Sequence, residues 1–270
     1  MQKILLGPAG SPAASTLEGV DKVKSLGLQA MEVQFSHGIK MSLQLARQVG
    51  EEAKNQKIYL SVHAPYFINL ASEDKKKRKE SKQRILDSCE RANFFGKSRV
   101  VFHPAYFGKF DKDECYEVVK EEILDMMDII KKNSWDVELA PETTGKHSAF
   151  GSLDEIIRLS KETKCNLCID CAHIYARNGG KIDYSEIFDK IKILKKKELH
   201  FHFSNINFSS KGELNHLNLD SKPAFEPFAK ELLKRKIDAT IISESPVTWQ
   251  DSLKMKKIFE RLGYKFNQNQ

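Results

Sequence analysis

Six residues able to bind a metal ion stand at the expected ends of successive β-strands: His63, His103, Glu142, Asp170, His202 and Glu244. Imidazole nitrogen and carboxylate oxygen together suit zinc, manganese or iron far better than calcium. A lone strand histidine is usually a hydrogen-bonded core residue. Six titratable groups in register are different, because burying them without a cation is costly. Two more histidines extend the set: His173 lies three residues after Asp170, and His216 lies three residues after Glu213. Zinc usually takes four ligands, so this many donors implies two or three ions. Paired ions stabilise both the attacking and the leaving oxygen in phosphoester hydrolysis.

Those positions follow from a coarse reading of the elements. Short β-branched or aromatic runs at 3–6, 30–35, 59–63, 99–103, 137–140, 166–170, 198–203 and 240–243 alternate with helix-like segments. The clearest helix carries Ile123, Met126, Met127 and Ile130 as one apolar stripe, the spacing of a helix with one buried face. Eight βα units predict a closed (β/α)8 TIM barrel of the α/β class, one domain over residues 1–270. Chemistry in such a barrel sits at the C-terminal ends of the strands. No linker, internal repeat or low-complexity segment interrupts the pattern. The one charge run, residues 73–80, opens the helix after the third strand. It reads first as a solvated helix face and second as a patch facing phosphate.

The chain has 270 residues, 40% of them hydrophobic, and a formal charge of +7. The positive balance favours an anionic partner, nucleic acid first. Five cysteines show no pairing pattern, the opening residues run straight into a strand, and no stretch is long and apolar enough for a membrane span. A reducing, cytoplasmic setting is therefore expected, with no membrane and no obligatory protein partner. Cys165, Cys168 and Cys171 are three apart, but strand alternation turns Cys168 away from the other two, so packing is expected rather than a zinc knuckle. His200 shares a face with His202 one layer deeper and reads as interior packing or support. His147 reads as an exposed loop residue, and Gly179-Gly180 as a turn.

The ordered set of motifs resembles the endonuclease IV family of apurinic/apyrimidinic endonucleases over nearly the whole chain. His63-Ala64-Pro65-Tyr66-Phe67-Ile68-Asn69 is similar to its H-x-x-Y-x-x-N segment, and Asp170-Cys171-Ala172-His173 to its D-x-x-H segment. His103-Pro104, Pro141-Glu142-Thr143 and Ser243-Glu244-Ser245-Pro246 follow in the family's order. The resemblance implies three zinc ions, with manganese as an alternative. His63 and His103 would hold the first, Glu142 would bridge it to the second, and Asp170, His202 and Glu244 would complete the second. His173 and His216 would hold the third. Glu142 and Glu244 are the implied catalytic carboxylates. The implied reaction is hydrolysis of the DNA phosphodiester 5′ to an abasic site, as in base-excision repair. Tyr66, Phe67 and Asn69 would contact the DNA, the two aromatics entering the gap where a base is missing. The sequence departs from the family at Leu214, where an aspartate is usual, and Glu213 is the expected substitute. His202-Phe203-Ser204-Asn205 and the loop Ser36-His37-Gly38-Ile39-Lys40, which lacks an arginine, depart as well. The competing expectation is a metal-dependent sugar isomerase or epimerase on a similar barrel.

Overall fold

The computed structural model describes residues 2–266; Met1 and residues 267–270, included in the expected 1–270 domain, lie outside the described residues. In chain order the elements are β1 (Ile4–Pro8), α1 (Thr16–Ser25), β2 (Ala30–Gln34), α2 (Leu43–Gln56), β3 (Tyr59–His63), α3 (Lys75–Ala92) and β4 (Ser98–Phe102). There follow β5 (Ala105–Tyr106), α4 (Lys112–Lys132), β6 (Val137–Pro141), β7 (Ala149–Phe150), α5 (Leu153–Thr163), β8 (Cys168–Asp170) and α6 (Cys171–Arg177). The last are α7 (Tyr184–Ile191), β9 (Glu198–Phe203), β10 (Asn205–Ser209), β11 (Gly212–Leu217), α8 (Phe225–Arg235), β12 (Asp238–Ser243) and α9 (Trp249–Arg261).

Eight of the strands close into a parallel barrel. One run pairs as β8-β9-β12-β1 and the other as β2-β3-β4-β6. Single parallel bridges, Ala9 to Glu32 and Glu142 to Cys168, join the two runs at both seams. The eight expected strands are all present, with ends shifted by up to two residues. His103 falls just past β4, and the sixth barrel strand is cut back to Cys168–Asp170. The helices begin where the sequence supplies a cap. Ser15, Asp111 and Ser152 form capping boxes with Glu18, Glu114 and Glu155, while Ser42 and Asp74 accept amide hydrogen bonds at the starts of α2 and α3. Each satisfies amide donors that the first helical turn leaves without partners.

Strand alternation sorts the side chains into an outer shell and a barrel interior. Outward-facing Ile4, Leu6, Met31, Val33, Val62, Val100, Leu139, Ile169, Phe201 and Ile241 pack against the helices in one continuous core. Of the stripe on α4, Ile123, Met126 and Ile130 are buried and Met127 partly so. The interior is layered. At its base Arg99 reaches Glu198 at 3.0 Å and Glu138 at 3.6 Å, Asn166 donates to Glu138, and Thr240 donates to Glu198. Above them, Val101, Ala140 and Cys168 fill one side, and Leu5, Ala30 and Ile242 the other. The top layer carries the ligand-type residues.

One region differs from expectation. Residues 205–219, which lie between the expected strands 198–203 and 240–243 and carry none of the expected strands, contain the antiparallel hairpin β10–β11, with an irregularity between Asn207 and Phe208. Ile206 and Phe208 on it pack against Ala172, Tyr175 and Ala176 of α6, which gives the hairpin an apolar face and a reason to fold outside the barrel. The second unexpected pair, β5 with β7, ties the loops after β4 and β6 together.

Candidate metal centre

The strand ends bring the expected residues to one mouth. Glu142, fully buried just past β6, lies at its centre. One carboxylate oxygen faces His202 Nδ1 at 3.0 Å and His173 Nδ1 at 3.5 Å; the other faces His103 Nε2 at 3.1 Å and His63 Nε2 at 3.3 Å. Glu244 Oε1 is 3.3 Å from His202 Nδ1, and its Oε2 is 3.9 Å from His216 Nε2. Glu213 Oε2 is 3.2 Å from His173 Nε2 and also accepts the Gly145 amide at 2.8 Å. A Cβ on Gly145 would stand 2.3 Å from that oxygen, so this approach requires glycine.

The donors fall into overlapping groups, each with one donor atom per residue and all within 4.8 Å of one another. They are His63, His103 and Glu142; Glu142, Asp170, His202 and Glu244; and Asp170, His173 and His216. Asp170 therefore stands in two groups, where the sequence reading uses it in one. Several rings are anchored from outside. His63 Nδ1 faces the Ala64 carbonyl at 2.7 Å, His173 Nδ1 the Thr143 carbonyl at 3.0 Å, and His216 Nδ1 the Ser204 hydroxyl at 2.6 Å. A carbonyl can only accept, so the neutral rings of His63 and His173 carry their proton on Nδ1 and turn a bare Nε2 into the mouth.

The charges are strained without a counter-ion. Burial raises Glu142, yet the surrounding histidines, His202 and His103 first, outweigh it and hold its carboxyl well below the usual range. Burial pushes Asp170 up; His173 pulls the other way, but Glu244 and Glu142 add to the rise and leave it at about 8. Burial lowers His63, and Glu142 more than reverses this, taking it to about 9. Asp170 Oδ2 is buried with no hydrogen-bond partner. An orphaned carboxylate oxygen among imidazoles and further carboxylates is what a divalent cation satisfies, so the donor set fits such ions.

Two residues outside the expected set belong to this region. Glu32, fully buried on β2, has Oε1 3.0 Å from His202 Nε2 and accepts from Ser61 Oγ at 2.8 Å and from Gln34 Nε2 at 3.2 Å. Glu32 and Gln34 share the inward face of β2, opposite Ser61 and His63 of β3, where a carboxylate needs partners. His200, expected as interior packing or support, reaches Glu32 Oε2 at 3.2 Å. Cys168 lies close enough to His200 and His202 to form a fourth donor group. Cys165 and Cys171 are buried and do not join it.

At the rim, Tyr66 and Phe67 are 54% and 70% exposed, large for aromatic side chains. The Tyr66 ring lies 5.7 Å from that of His63. The loop beneath them is held by Asn69, whose Oδ1 accepts the amides of Ala71 and Tyr106. The side-chain oxygen of Asn69, a residue expected to contact DNA, is thus committed to the fold, which leaves only its amide end for an outside contact. Lys75, Lys76, Lys77 and Lys79 follow on α3 and are exposed, as is His147. Among the described residues no helix is long and apolar enough to cross a membrane.

A family model described as Xylose isomerase-like TIM barrel matches residues 20–261. An uncharacterised protein of Methanocaldococcus jannaschii is 34% identical over 273 residues, covering 96% of this chain and 98% of its own length. A protein named probable endonuclease 4 from Mycoplasma mobile is 29% identical, over 71% of this chain and 70% of its own. Endonuclease IV from Thermus thermophilus superposes with a TM-score of 0.72 at 20% identity, over 97% of this chain and 98% of that one. A D-tagatose 3-epimerase-like protein superposes at 0.74 and 18%, over 97% and 96%. These two structures share the fold of this chain across nearly its whole length. The matched span takes in all eight barrel strands but the first, and every residue of the mouth, so the chain belongs to the Xylose isomerase-like TIM barrel family.

Proposed function

We propose that this protein is a metal-dependent endonuclease that hydrolyses the DNA phosphodiester 5′ to an abasic site, leaving a 3′-hydroxyl. The observation that carries the reading is the pairing of two features: three overlapping donor groups in one mouth, and two exposed aromatics on its rim. A small sugar needs one or two ions and an enclosed pocket, and gives no use to the third group or to Tyr66 and Phe67. A duplex with a missing base gives a use to both. Similarity to a probable endonuclease 4 over 71% of the chain supports the same reading.

His63 and His103 would hold one zinc-type cation, Asp170, His202 and Glu244 a second, with Glu142 between them, and His173 and His216 a third with Asp170 or Glu213; manganese is the alternative ion. Bound cations supply Lewis acidity toward phosphoryl oxygens and acidify water in the mouth. The chain's own residues do the rest. Glu142 fixes the spacing of the rings around it, and Glu244, held ionised chiefly by His202 against its burial, would offer a charged oxygen to the second cation. Tyr66 and Phe67 fill the gap in the base stack, where the unstacking of a few kcal/mol that a wedge normally costs is already spent. The exposed lysines at the start of α3 lie where flanking phosphates would pass.

The second reading is a sugar isomerase or epimerase. What favours it is that Glu142, Asp170, His202 and Glu244 form a complete four-ligand group without the others, on a fold shared with a D-tagatose 3-epimerase-like protein. The test is incubation of the metal-analysed protein with a duplex carrying one abasic site, beside an intact duplex and a panel of ketoses. Nicking confined to the abasic strand, 5′ to the lesion, is the expected result; turnover of a ketose with the abasic strand intact would transfer the assignment to the sugar reading.

A further inference from the structure

His202 differs from the other anchored histidines in what holds it. His63 leans on a carbonyl oxygen and His216 on a hydroxyl, and His173 Nδ1 meets the Thr143 carbonyl at 3.0 Å with carboxylates no nearer than 3.4 Å, whereas His202 Nε2 leans directly on the Glu32 carboxylate at 3.0 Å. Its ring is also reversed: Nδ1, beside the Cβ, faces Glu142 and Glu244 at 3.0 and 3.3 Å, and Nε2 points down the barrel to Glu32. An ionised carboxylate only accepts hydrogen bonds, so a neutral His202 beside it carries its proton on Nε2 and offers the Nδ1 lone pair upward. Glu32 is itself fixed. Ser61 and Gln34 donate to it from β3 and β2, and His200 Nε2 comes within 3.2 Å, so its position is set by three strands.

We propose that Glu32 is a positioning residue of the metal centre, which locks His202 in the Nε2–H tautomer and presents Nδ1 to the cation shared with Glu142, Asp170 and Glu244. Such a cation would find one imidazole among the carboxylates of that group, so a ring free to turn or to shift its proton would deprive it of its only nitrogen donor there. A carboxylate behind a ligating histidine fixes the tautomer and raises the basicity of the ligating nitrogen, and its loss typically costs about 10–100-fold in metal affinity. The inference rests on the metal-centre part of the proposed function and is independent of the substrate.

The test is cobalt(II) titration of metal-free wild type, Glu32→Gln and Ser61→Ala, read by calorimetry and by the visible spectrum of the bound ion, with thermal unfolding of each metal-free protein alongside. Glu32→Gln should bind the cation of the four-ligand group about 10–100-fold more weakly, with a changed cobalt spectrum. Ser61→Ala, which loosens Glu32 without removing its charge, should shift affinity and spectrum in the same direction by less. If Glu32→Gln fails to fold, Ser61→Ala alone decides, and a wild-type affinity and spectrum in it overturns the inference. Folded Glu32→Gln that binds cobalt as the wild type does, with the same spectrum, overturns it too, because a residue that only supports packing would lower the unfolding temperature and leave both readouts unmoved. Wild-type protein that takes up no cobalt would instead overturn the metal centre itself, a result distinct from the other two.

Discussion

If cations fill the proposed metal centre, stripping them should lower the protein's thermal stability by an amount that grows with pH. Glu32, Glu142, Asp170, Glu213 and Glu244 place five carboxylates in and just below the mouth. Two divalent cations bring four positive charges against those five and three bring six, so two or three ions are what the residues balance. A cation held at about 100 times its dissociation constant stabilises the fold by about 2.7 kcal/mol, so two contribute about 5 kcal/mol. For a chain of this size that is a rise in midpoint of about 10–20 °C. The pH dependence has a definite sign. In the metal-free protein Asp170 is raised from 3.8 to about 8, and His63 from 6.5 to about 9. Groups raised in the folded state stabilise it below their ordinary values and lose that contribution as pH climbs through the raised ones. The metal-free protein therefore weakens between about pH 4 and 9, a window in which Glu32, held at about 2, stays ionised throughout. The loaded protein moves the other way, because cations compete with those same protons. Calorimetric scans of loaded and chelator-treated protein at pH 6, 7, 8 and 9, with elemental analysis of each sample, make the comparison. A midpoint gap that stays constant across this range, or fewer than one ion per chain, would refute the reasoning.

Other perturbations separate the roles of the mouth, the rim and the base. Glu142→Gln keeps the side chain's shape and removes the charge facing four imidazoles, so abasic-site cleavage should fall by orders of magnitude while the fold is kept; near-normal single-turnover rates would dismiss Glu142 as the bridge. Tyr66→Ala should weaken binding to abasic duplex without changing metal content, and wild-type affinity should fall steeply as salt rises because phosphate contacts release counterions; binding indifferent to both points to the sugar reading. Arg99→Ala leaves Glu138 and Glu198 facing each other at the base of the barrel. With those partners partly exposed, the cost should be at the low end for a broken buried pair, about 3 kcal/mol, with metal content unchanged; a melt like the wild type's would show that this layer contributes nothing to stability.

The mouth was legible because strand geometry is simple. With a side-chain period of two and the chemistry confined to one end, a histidine or carboxylate at the last inward position of a run is placed by counting, and His63, Asp170 and His202 are placed that way. Glu32 escapes for a related reason: counting stops at strand ends, and it lies two residues short of one, where a single acidic residue among apolar neighbours reads as an outward-facing position. Only pairing β2 with β3, which sets Glu32 opposite Ser61, reveals the polar interior there. The β10–β11 hairpin did carry a signal. Ile206 and Phe208 alternate with polar residues, and Gly212 follows a serine- and lysine-rich turn, the pattern of a hairpin with a short loop. Asn69 shows the opposite difficulty. Its motif suggests an outward role, and nothing in sequence shows that its oxygen closes a loop against Tyr106, a residue from a different βα unit.

The hairpin has a consequence for how such a site changes over time. His63, His103, Glu142, Asp170, His202 and Glu244 are built into or directly beside barrel strands, and altering their spacing means altering the barrel. Glu213 and His216 arrive on an excursion that begins and ends beside the seventh barrel strand, packs on α6 and meets the loop after β6 only along residues 145–147, through the Lys146–Gly212 bridge and the hydrogen bonds between Gly145 and Glu213. Such an attachment can be lengthened, exchanged or lost as a unit. Divergence among descendants of this barrel should therefore collect first in the hairpin, beginning at solvent-facing Leu214, 64% exposed at the edge of the third donor group. The strand-built ligands would be inherited as a fixed chassis, and the hairpin as the interchangeable part that decides how many ions, and so which chemistry, each lineage keeps.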